Sequence, residues 1–256
     1  TSPAHVIGLC CGGGQKDSRL LMQLAGLGRQ IIYTPCDVST AMVLVARQAA
    51  LSVVADENCL PFVCDLASAD DLPDVFATRH PSPVTRLITF FGMRPNFEPD
   101  RILPKLAKLV RPHDQLLLSA NLAPGPDYAA GVQLILPQYD NEPTRDWLMT
   151  FLLDLGVERA DGELRFAIED EISGSGLKKI VARFHFTKPR RIEAENEVFD
   201  FHAGGAIQLF FSYRYTPARV REMLRRHALT VTGQWIVKSG EECVFLCRRL
   251  QSEKHA

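Results

Sequence analysis

The chain has 256 residues, a length typical of one large domain or of a core domain with an inserted lobe. Hydrophobic residues make up 46% of the sequence and charged residues 23%, which excludes a disordered chain and allows a sizeable packed core. Because Lys and Arg, 29 in all, nearly balance the 30 acidic residues, the charge indicates neither nucleic acid nor an anionic membrane as partner and favours a small molecule.

The cysteines and the hydropathy pattern indicate the compartment. The seven cysteines show neither CxxC pairs nor the spacing of metal ligands, so we expect reduced thiols and no metal site. No apolar run approaches the roughly 20 residues that span a bilayer, and no secretory signal is visible. The sequence therefore predicts a cytoplasmic protein that does not enter the membrane.

The first half of the chain alternates strands with helices. Strands are predicted at 5–10, 30–34, 60–64, 85–91 and 115–120, and helices at 18–27, 39–51 and 99–110. Ser18 is the predicted N-cap of the first helix. The strands are continuous apolar runs, as in sheets that are covered on both faces. This half therefore predicts an α/β fold with a Rossmann-like parallel sheet.

The pattern changes in the second half. A helical region is interrupted by Pro137 and Pro143, and two later stretches alternate apolar and polar residues as antiparallel strands do. We therefore predict that residues 131–211 form an inserted α+β substrate lobe. The sheet domain would consist of residues 1–130 and 212–256, ending in a helix and a two-stranded hairpin.

Four features follow four successive predicted strands: the loop Gly12–Gly14, Asp37, Asp65 and Gly92. The carboxyl ends of parallel strands form the ligand site of such sheets. Glycines let the backbone approach a ligand, and an acid after the second strand can accept the ribose hydroxyls of an adenosine. An acid after the third strand suits the adenine amino group, and a glycine after the fourth leaves room for the reacting end of a cofactor. Together they predict a site for a cofactor that contains adenosine.

Each feature also has a structural interpretation. A glycine run is commonly a plain turn, and an Asp after a strand is commonly a cap or turn residue. A nicotinamide-dependent oxidoreductase would share the glycine loop and the first acid. Its usual GxGxxG pattern is not matched, because Gly12 and Gly14 are followed by Asp17 where a third glycine would stand.

Five segments carry a family resemblance: GLCCGGGQKDSRLL (8–21), YTPCDVS (33–39), FFGMRPNFEP (90–99), QYDN (138–141) and FFSYRYTP (210–217). From Val6 to about Arg248, the chain resembles the histidine-specific, S-adenosylmethionine-dependent methyltransferase of ergothioneine biosynthesis and its relatives. The resemblance implies a class I methyltransferase sheet and S-adenosylmethionine as cofactor. It also implies methyl transfer, as N-methylation, to a small amino acid or an amine derived from one.

The resemblance implies two groups of site residues. Seven would contact the cofactor: Gly12, Gly14 and Lys16 its methionine part, Asp37 its ribose, Asp65 with Leu66 its adenine, and Gly92 its sulfonium. Three would face the substrate: Asn96, Tyr139 and Ser212.

Phe210 departs from the family's pattern. Histidine-specific members have a glutamate two residues before the serine of the SYRYT-like segment, and this glutamate holds the substrate imidazole. Phe210 stands at that position, and a phenyl ring cannot replace the lost hydrogen bond. The resemblance therefore predicts a substrate other than histidine. Because side chains alternate along a strand, we expect Phe210 and Ser212 to share one face.

The substrate residues have other interpretations as well. Asn96 serves equally well as the cap of the next helix, Tyr139 as a core residue and Ser212 as an ordinary strand residue. We name no general base, because an amide, a phenol and a hydroxyl can orient an amine lone pair without an obligatory strong base. Besides a methyltransferase, the sequence leaves open a nicotinamide-dependent oxidoreductase and a catalytically silent protein that binds S-adenosylmethionine.

Overall fold

A computed structural model describes residues 3–79, 84–92, 96–171, 175–194 and 196–250. The chain divides into two compact units. Unit 1 comprises Thr1–Asn121, Pro217–Lys238 and Glu242–Ala256, and unit 2 comprises Leu122–Thr216 and Ser239–Glu241. The predicted substrate lobe falls within unit 2.

In chain order, the described helices and strands are β1 (Ala4–Leu9), α1 (Gln15–Gly26), β2 (Ile31–Asp37), α2 (Thr40–Ala50), β3 (Phe62–Val63), α3 (Leu72–Arg79), β4 (Thr85–Phe90), α4 (Pro99–Leu109), β5 (Gln115–Asn121), α5 (Tyr128–Tyr139), α6 (Glu142–Asp154), β6 (Gly162–Asp170), β7 (Lys178–Phe186), β8 (Arg190–Ala194), β9 (Glu197–Phe201), β10 (Ala206–Arg214), α7 (Pro217–Arg226), β11 (Leu229–Ile236) and β12 (Glu242–Arg249).

Unit 1 contains a seven-stranded sheet with the order β3-β2-β1-β4-β5-β12-β11. The first five strands pair in parallel, and β12 runs antiparallel to both β5 and β11. The central strands are buried because their side chains are apolar on both faces, as in other helix-covered parallel sheets. The predicted Rossmann-like α/β sheet is therefore confirmed.

The strand order places a topological switch point between β1 and β4. β1 pairs with β2 on one side and with β4 on the other. β2 and β3 therefore lie toward one edge of the sheet, and β4 and β5 lie toward the other. Ligands of open α/β sheets bind in the crevice that this reversal opens beyond the carboxyl ends of the strands. In unit 1 the crevice begins after Leu9 and Phe90.

The first helix begins earlier than predicted. The N-cap of α1 is Gly14, so the prediction of Ser18 as the cap was wrong. Gly14 ends the loop with a φ of 74°, a conformation that glycine adopts without strain. The earlier start brings Asp17 into the first turn of α1, where its side chain is buried. The next helix, α2, is capped by Ser39, whose hydroxyl accepts the N–H of Met42.

Unit 2 contains a three-stranded antiparallel sheet with the order β10-β7-β6 and the strand pair β8-β9. Pro137 lies in the last turn of α5, and the helical region breaks after it, at Asp140 and Asn141. The Asn141 side chain caps α6 by accepting the N–H of Thr144. In β10 the pairing with β7 shifts between Gln208 and Phe210, and regular alternation follows.

Among the helices that the structure describes, none has both the length and the apolar character needed to cross a bilayer.

Candidate functional site

The loop between β1 and α1 follows a left-handed path at Cys10, Gly12 and Gly14, with φ angles of 49°, 52° and 74°. A Cβ on Gly14 would lie 2.8 Å from the Cβ of Ala46, so glycine lets the loop pack directly on α2. Around Gly12, no described atom lies within 4 Å of the position of a Cβ. Among the three glycines of this loop, Gly12 is therefore the one at which a ligand can approach the backbone.

A cavity of about 280 Å³ lies at the switch point. It brings together three of the predicted cofactor residues: Gly12, Lys16 and Gly92. The other residues around it are Leu9, Cys10, Cys11, Gly13, Gln15, Asp17, Thr89 and Phe91. Since the first N–H groups of a helix lack partners within the helix, the start of α1 favours an anionic group in this cavity.

Asp37 is the last residue of β2, and its side chain is hydrogen-bonded to the glycine loop. Its Oδ2 accepts the backbone N–H of Gly12 at 3.0 Å, and its Oδ1 accepts the N–H of Ser39 at 3.0 Å. Each carboxylate oxygen keeps a further lone pair for a ligand hydroxyl. Asp37 thus joins the loop to the start of α2 and still has acceptor capacity.

Asp65 and Leu66 follow β3 and lie outside the residues that line the cavity. The N–H of Ala67 and the hydroxyl of Ser68 lower the pKa of the exposed Asp65 carboxyl, so it is ionised at neutral pH and can accept hydrogen bonds. The side chain of Leu66 is buried. A ligand contact at Leu66 would therefore use its backbone.

Gly92 follows β4 with a φ of 78°. Its N–H donates to the Oγ of Ser119 at 2.8 Å. Ser119 is a buried residue of β5 that the sequence pattern did not distinguish from other strand residues. Ser119 thus fixes the turn at Gly92, which lines the cavity.

Asp17 lines the cavity, although in the sequence it is only a mismatch to a glycine pattern. Its carboxylate accepts hydrogen bonds from the hydroxyls of Tyr33 (2.9 Å) and Thr89 (2.7 Å). Burial raises the pKa of Asp17, and the bonds from Thr89 and Tyr33 oppose the increase. A buried carboxylate at a cavity wall can bind a cationic ligand group.

Thiols are concentrated at the same strand ends. The Sγ atoms of Cys36 and Cys64 are 3.1 Å apart. Burial and the charge of Asp37 raise the pKa of Cys10 to about 12, and burial and the charge of Asp17 raise the pKa of Cys11 to about 12. Within the ranges that the structure describes, no three His, Cys, Asp or Glu residues are arranged to hold a metal ion.

In unit 2, three of the predicted substrate residues meet. The ring of Phe210 stacks on the ring of Tyr139, with centroids 5.4 Å apart and planes at 30°. The hydroxyl of Tyr139 lies 3.4 Å from the Oγ of Ser212, which is buried. The end of α5 and one face of β10 thus form a cluster with one apolar and one polar side.

Arg214 completes this cluster, although no sequence motif indicated it. It follows Ser212 by two residues on β10, and its guanidinium donates to the Tyr139 hydroxyl and lies over that ring, 5.1 Å from the centroid. Burial lowers the pKa of Arg214, while Tyr139 and Glu241 oppose the decrease. The alternation within SYRYTP placed Arg214 on the face of Ser212, but nothing in the pattern showed that it is buried.

Asn96 belongs to unit 1 and is exposed between β4 and α4. The N-cap of α4 is Glu98, so the interpretation of Asn96 as the cap of that helix was wrong. Its predicted contact with substrate remains a prediction. Residues 93–95 of the FFGMRPNFEP segment lie outside the described residues.

Several solved structures are similar to this chain. The mitomycin 7-O-methyltransferase MmcR is 14% identical with a TM-score of 0.50, over 96% of this chain and 49% of that one. A possible exported protein from Bordetella parapertussis is 12% identical with a TM-score of 0.50, over 98% of this chain and 63% of that one. The CcbJ methyltransferase from Streptomyces caelestis is 14% identical with a TM-score of 0.45, over 97% and 89%. The chain thus spans about half the length of the mitomycin enzyme.

No curated protein matches the sequence. A family profile does: residues 1–249 match the family described as histidine-specific, SAM-dependent methyltransferases. The match runs through both units, including the cavity at the switch point and the cluster around Tyr139. The chain therefore belongs to the family of histidine-specific methyltransferases that depend on S-adenosylmethionine.

Proposed function

We propose that this methyltransferase N-methylates a small amino acid, or an amine derived from one, and that L-histidine is not its substrate. The observation that carries the proposal is the stacking of Phe210 on Tyr139. An aromatic surface stands where histidine-specific relatives bind the imidazole with a glutamate. Membership of the family favours this reading over a nicotinamide-dependent oxidoreductase and over a silent binding protein.

The chemistry of the cavity residues fits S-adenosylmethionine, which supplies a methyl group on a positively charged sulfur. The methionine part of this cofactor carries an ammonium and a carboxylate. Asp17 offers a buried carboxylate to the ammonium, and the free N–H groups at the start of α1 suit the carboxylate. The open space beside Gly12 leaves room for the carbon chain of the methionine part.

The remaining assignments are part of the same proposal. Asp37 accepts the ribose hydroxyls through the lone pairs that Gly12 and Ser39 leave free. Asp65 and the backbone of Leu66 recognise the adenine. Lys16, Gly14 and Gly92 border the methionine part and the reacting sulfur.

Methyl transfer is an in-line displacement, so the protein contributes position and the exclusion of water. The attacking amine must be unprotonated. The hydroxyls of Tyr139 and Ser212 orient its lone pair by hydrogen bonds. We assign no general base, and the amine loses its proton to solvent before it is bound.

A methyl-transfer assay tests the proposal, with amino acids, their amines and imidazole derivatives as acceptors and S-adenosylhomocysteine release as readout. We expect L-histidine to be a poor acceptor, since Phe210 offers no acceptor to an imidazole N–H, and an apolar pocket discriminates against an added polar group by about 100-fold. Phe210→Glu should improve histidine binding at least about tenfold. Phe211→Glu is the matched control, because Phe211 points to the opposite face of β10.

Efficient trimethylation of histidine by the unmodified protein would overturn the substrate assignment. Equal effects of Phe210→Glu and Phe211→Glu would show that Phe210 does not face the substrate.

A further inference from the structure

Cys36 and Cys64 lie side by side where β2 and β3 end. Cys36 is the next-to-last residue of β2, and Cys64 directly follows β3. The backbone N–H of Cys64 donates to the carbonyl of Asp37 at 3.0 Å, so the pairing of the two strands continues to this point. The Sγ atoms of the two cysteines are 3.1 Å apart, and an approach of only roughly 1 Å would bring them to the length of a disulfide bond.

The two thiols differ in exposure and in acidity. Cys36 is 1% exposed, whereas Cys64 is half-buried and can be reached from solvent. The hydrogen bond with Cys36 lowers the pKa of Cys64, although burial opposes the decrease. The same hydrogen bond and burial raise the pKa of Cys36. Because the thiolate is the reacting form, Cys64 is the thiol that an oxidant attacks first, and Cys36 is the second thiol that closes the bridge.

Cys36 is connected through the backbone to the glycine loop of the cavity. Its carbonyl accepts the N–H of Cys11 at 3.0 Å, and the Oδ2 of the next residue, Asp37, accepts the N–H of Gly12 at 3.0 Å. Cys11 and Gly12 both line the cavity. Because a buried side chain is closely packed, its movement shifts the backbone instead of filling empty space. A change at Cys36 therefore reaches the loop.

A disulfide makes demands on this backbone that two hydrogen-bonded thiols do not make. It restricts the dihedral angle about the S–S bond to about ±85–100° and allows only a narrow range of Cα separations. The strand order is β3-β2-β1, so a contraction between Cys36 and Cys64 draws the end of β2 away from the loop that follows β1. The two hydrogen bonds to Cys11 and Gly12 would lengthen.

We propose that Cys36 and Cys64 are a redox modification site, at which hydrogen peroxide forms a reversible disulfide that weakens binding of S-adenosylmethionine. The thiolate of Cys64 attacks one oxygen of the peroxide, the O–O bond breaks, and a sulfenic acid and hydroxide form. The thiol of Cys36 then attacks that sulfur, the S–O bond breaks, and water leaves with the thiol proton. Two electrons thus pass from the thiols to the peroxide. A dithiol reverses the step by exchange and becomes a disulfide itself.

The inference goes beyond the proposed function, because it holds for any methyl acceptor. Peptide mass analysis without reductant tests the bridge, after exposure of the protein to hydrogen peroxide and alkylation of the remaining thiols. We expect a pair of peptides linked through Cys36 and Cys64, and we expect dithiothreitol to separate them.

Calorimetry with S-adenosylhomocysteine measures the consequence for the cofactor site. The oxidised protein should bind this ligand about tenfold more weakly, a typical coupling between two sites, and dithiothreitol should restore the affinity. Cys64→Ala cannot form the bridge, so its affinity should not respond to peroxide. Cys59→Ala is the matched control, because Cys59 is buried and lies outside the cavity lining, and it should respond as the unmodified protein does.

Three results would overturn the inference. The first is that no link forms between Cys36 and Cys64, and the second is that the linked protein binds S-adenosylhomocysteine as tightly as the reduced one. The third is an equal loss of affinity in Cys64→Ala, which would place the oxidation at Cys10 or Cys11. If Cys64→Ala fails to fold, the mapped link and the reversible change of affinity in the unmodified protein still decide. Neither measurement uses a methyl acceptor, so the proposed function is decided separately.

Discussion

The carboxylate of Asp17 occupies the space beside Gly8 that any larger side chain at residue 8 would enter. Gly8 belongs to β1, while the hydroxyls that hold Asp17 come from Tyr33 on β2 and Thr89 on β4. One buried acid on α1 thus joins three neighbouring strands at the switch point. Gly8 is required for close approach, and not for backbone freedom.

Gly8→Ala tests this packing. The added methyl group would push the Asp17 carboxylate away from Tyr33 and Thr89, and overpacking of this kind costs about 1–3 kcal/mol of unfolding free energy. Urea unfolding measures the loss. Gly26→Ala is the matched control, because no described atom lies within 4 Å of a Cβ at Gly26 in the last turn of α1. Equal stability of the two variants would contradict the close approach.

The free energy of unfolding should change with pH in a way that depends on Asp17. Burial raises its pKa above the ordinary value of 3.8, so the folded state holds this proton more tightly than the unfolded state. The contribution to stability is therefore complete below the unfolded pKa and is lost as pH rises through the folded pKa.

Asp17→Asn isolates that contribution. The free energy of unfolding of the unmodified protein, measured relative to Asp17→Asn in urea at a series of pH values, should decrease as pH rises above the ordinary Asp value and then level off. An advantage of the unmodified protein that grows with pH would show that the pKa of Asp17 is lowered instead.

Asp37→Ala should weaken binding of S-adenosylmethionine by roughly 2–3 kcal/mol, because a charge-assisted contact is lost and the N–H of Gly12 loses its acceptor. Calorimetry measures the affinity, and the melting temperature reports whether the fold is kept. Asp70→Ala is the control, since Asp70 is an exposed acid that pairs with Lys105. An unchanged affinity in Asp37→Ala would refute the ribose assignment.

Ligand binding should protect a thiol in the cavity. Cys10 and Cys11 line it, and their pKa values of about 12 make alkylation slow at neutral pH, because the thiolate is the reacting form. We expect S-adenosylhomocysteine to slow labelling of at least one of them further. Cys59, buried and outside the cavity lining, serves as the internal reference in peptide mass analysis. Labelling rates that are the same with and without ligand would contradict the position of the cofactor.

The central strands could be predicted from the sequence because burial on both faces gives each one a continuous apolar run. The predictions for 85–91 and 115–120 differ by a single residue from β4 and β5. The prediction for 60–64 was too long, since β3 comprises only Phe62 and Val63. Helix α3 was not predicted, because Pro73 and neighbouring acidic residues weaken its apolar periodicity.

The burial of Asp17 in unit 1 and of Arg214 in unit 2 could not be predicted in the same way. Asp17 is buried because Tyr33 and Thr89 surround it, and Arg214 is buried because Tyr139 covers it. In each case the partners lie far away along the chain, and local periodicity carries no information about them. Gly14 is similar, since its close packing depends on Ala46.

The insertion of β12 between β5 and β11 has a consequence for biosynthesis. β5 ends at Asn121, but its neighbour in the sheet begins only at Glu242. During synthesis the first five strands can pair while one side of β5 is still an open edge, and such edges favour pairing with other chains. β12 therefore covers this edge of β5, and a chain that stops before residue 242 would leave the edge open to pairing with other chains.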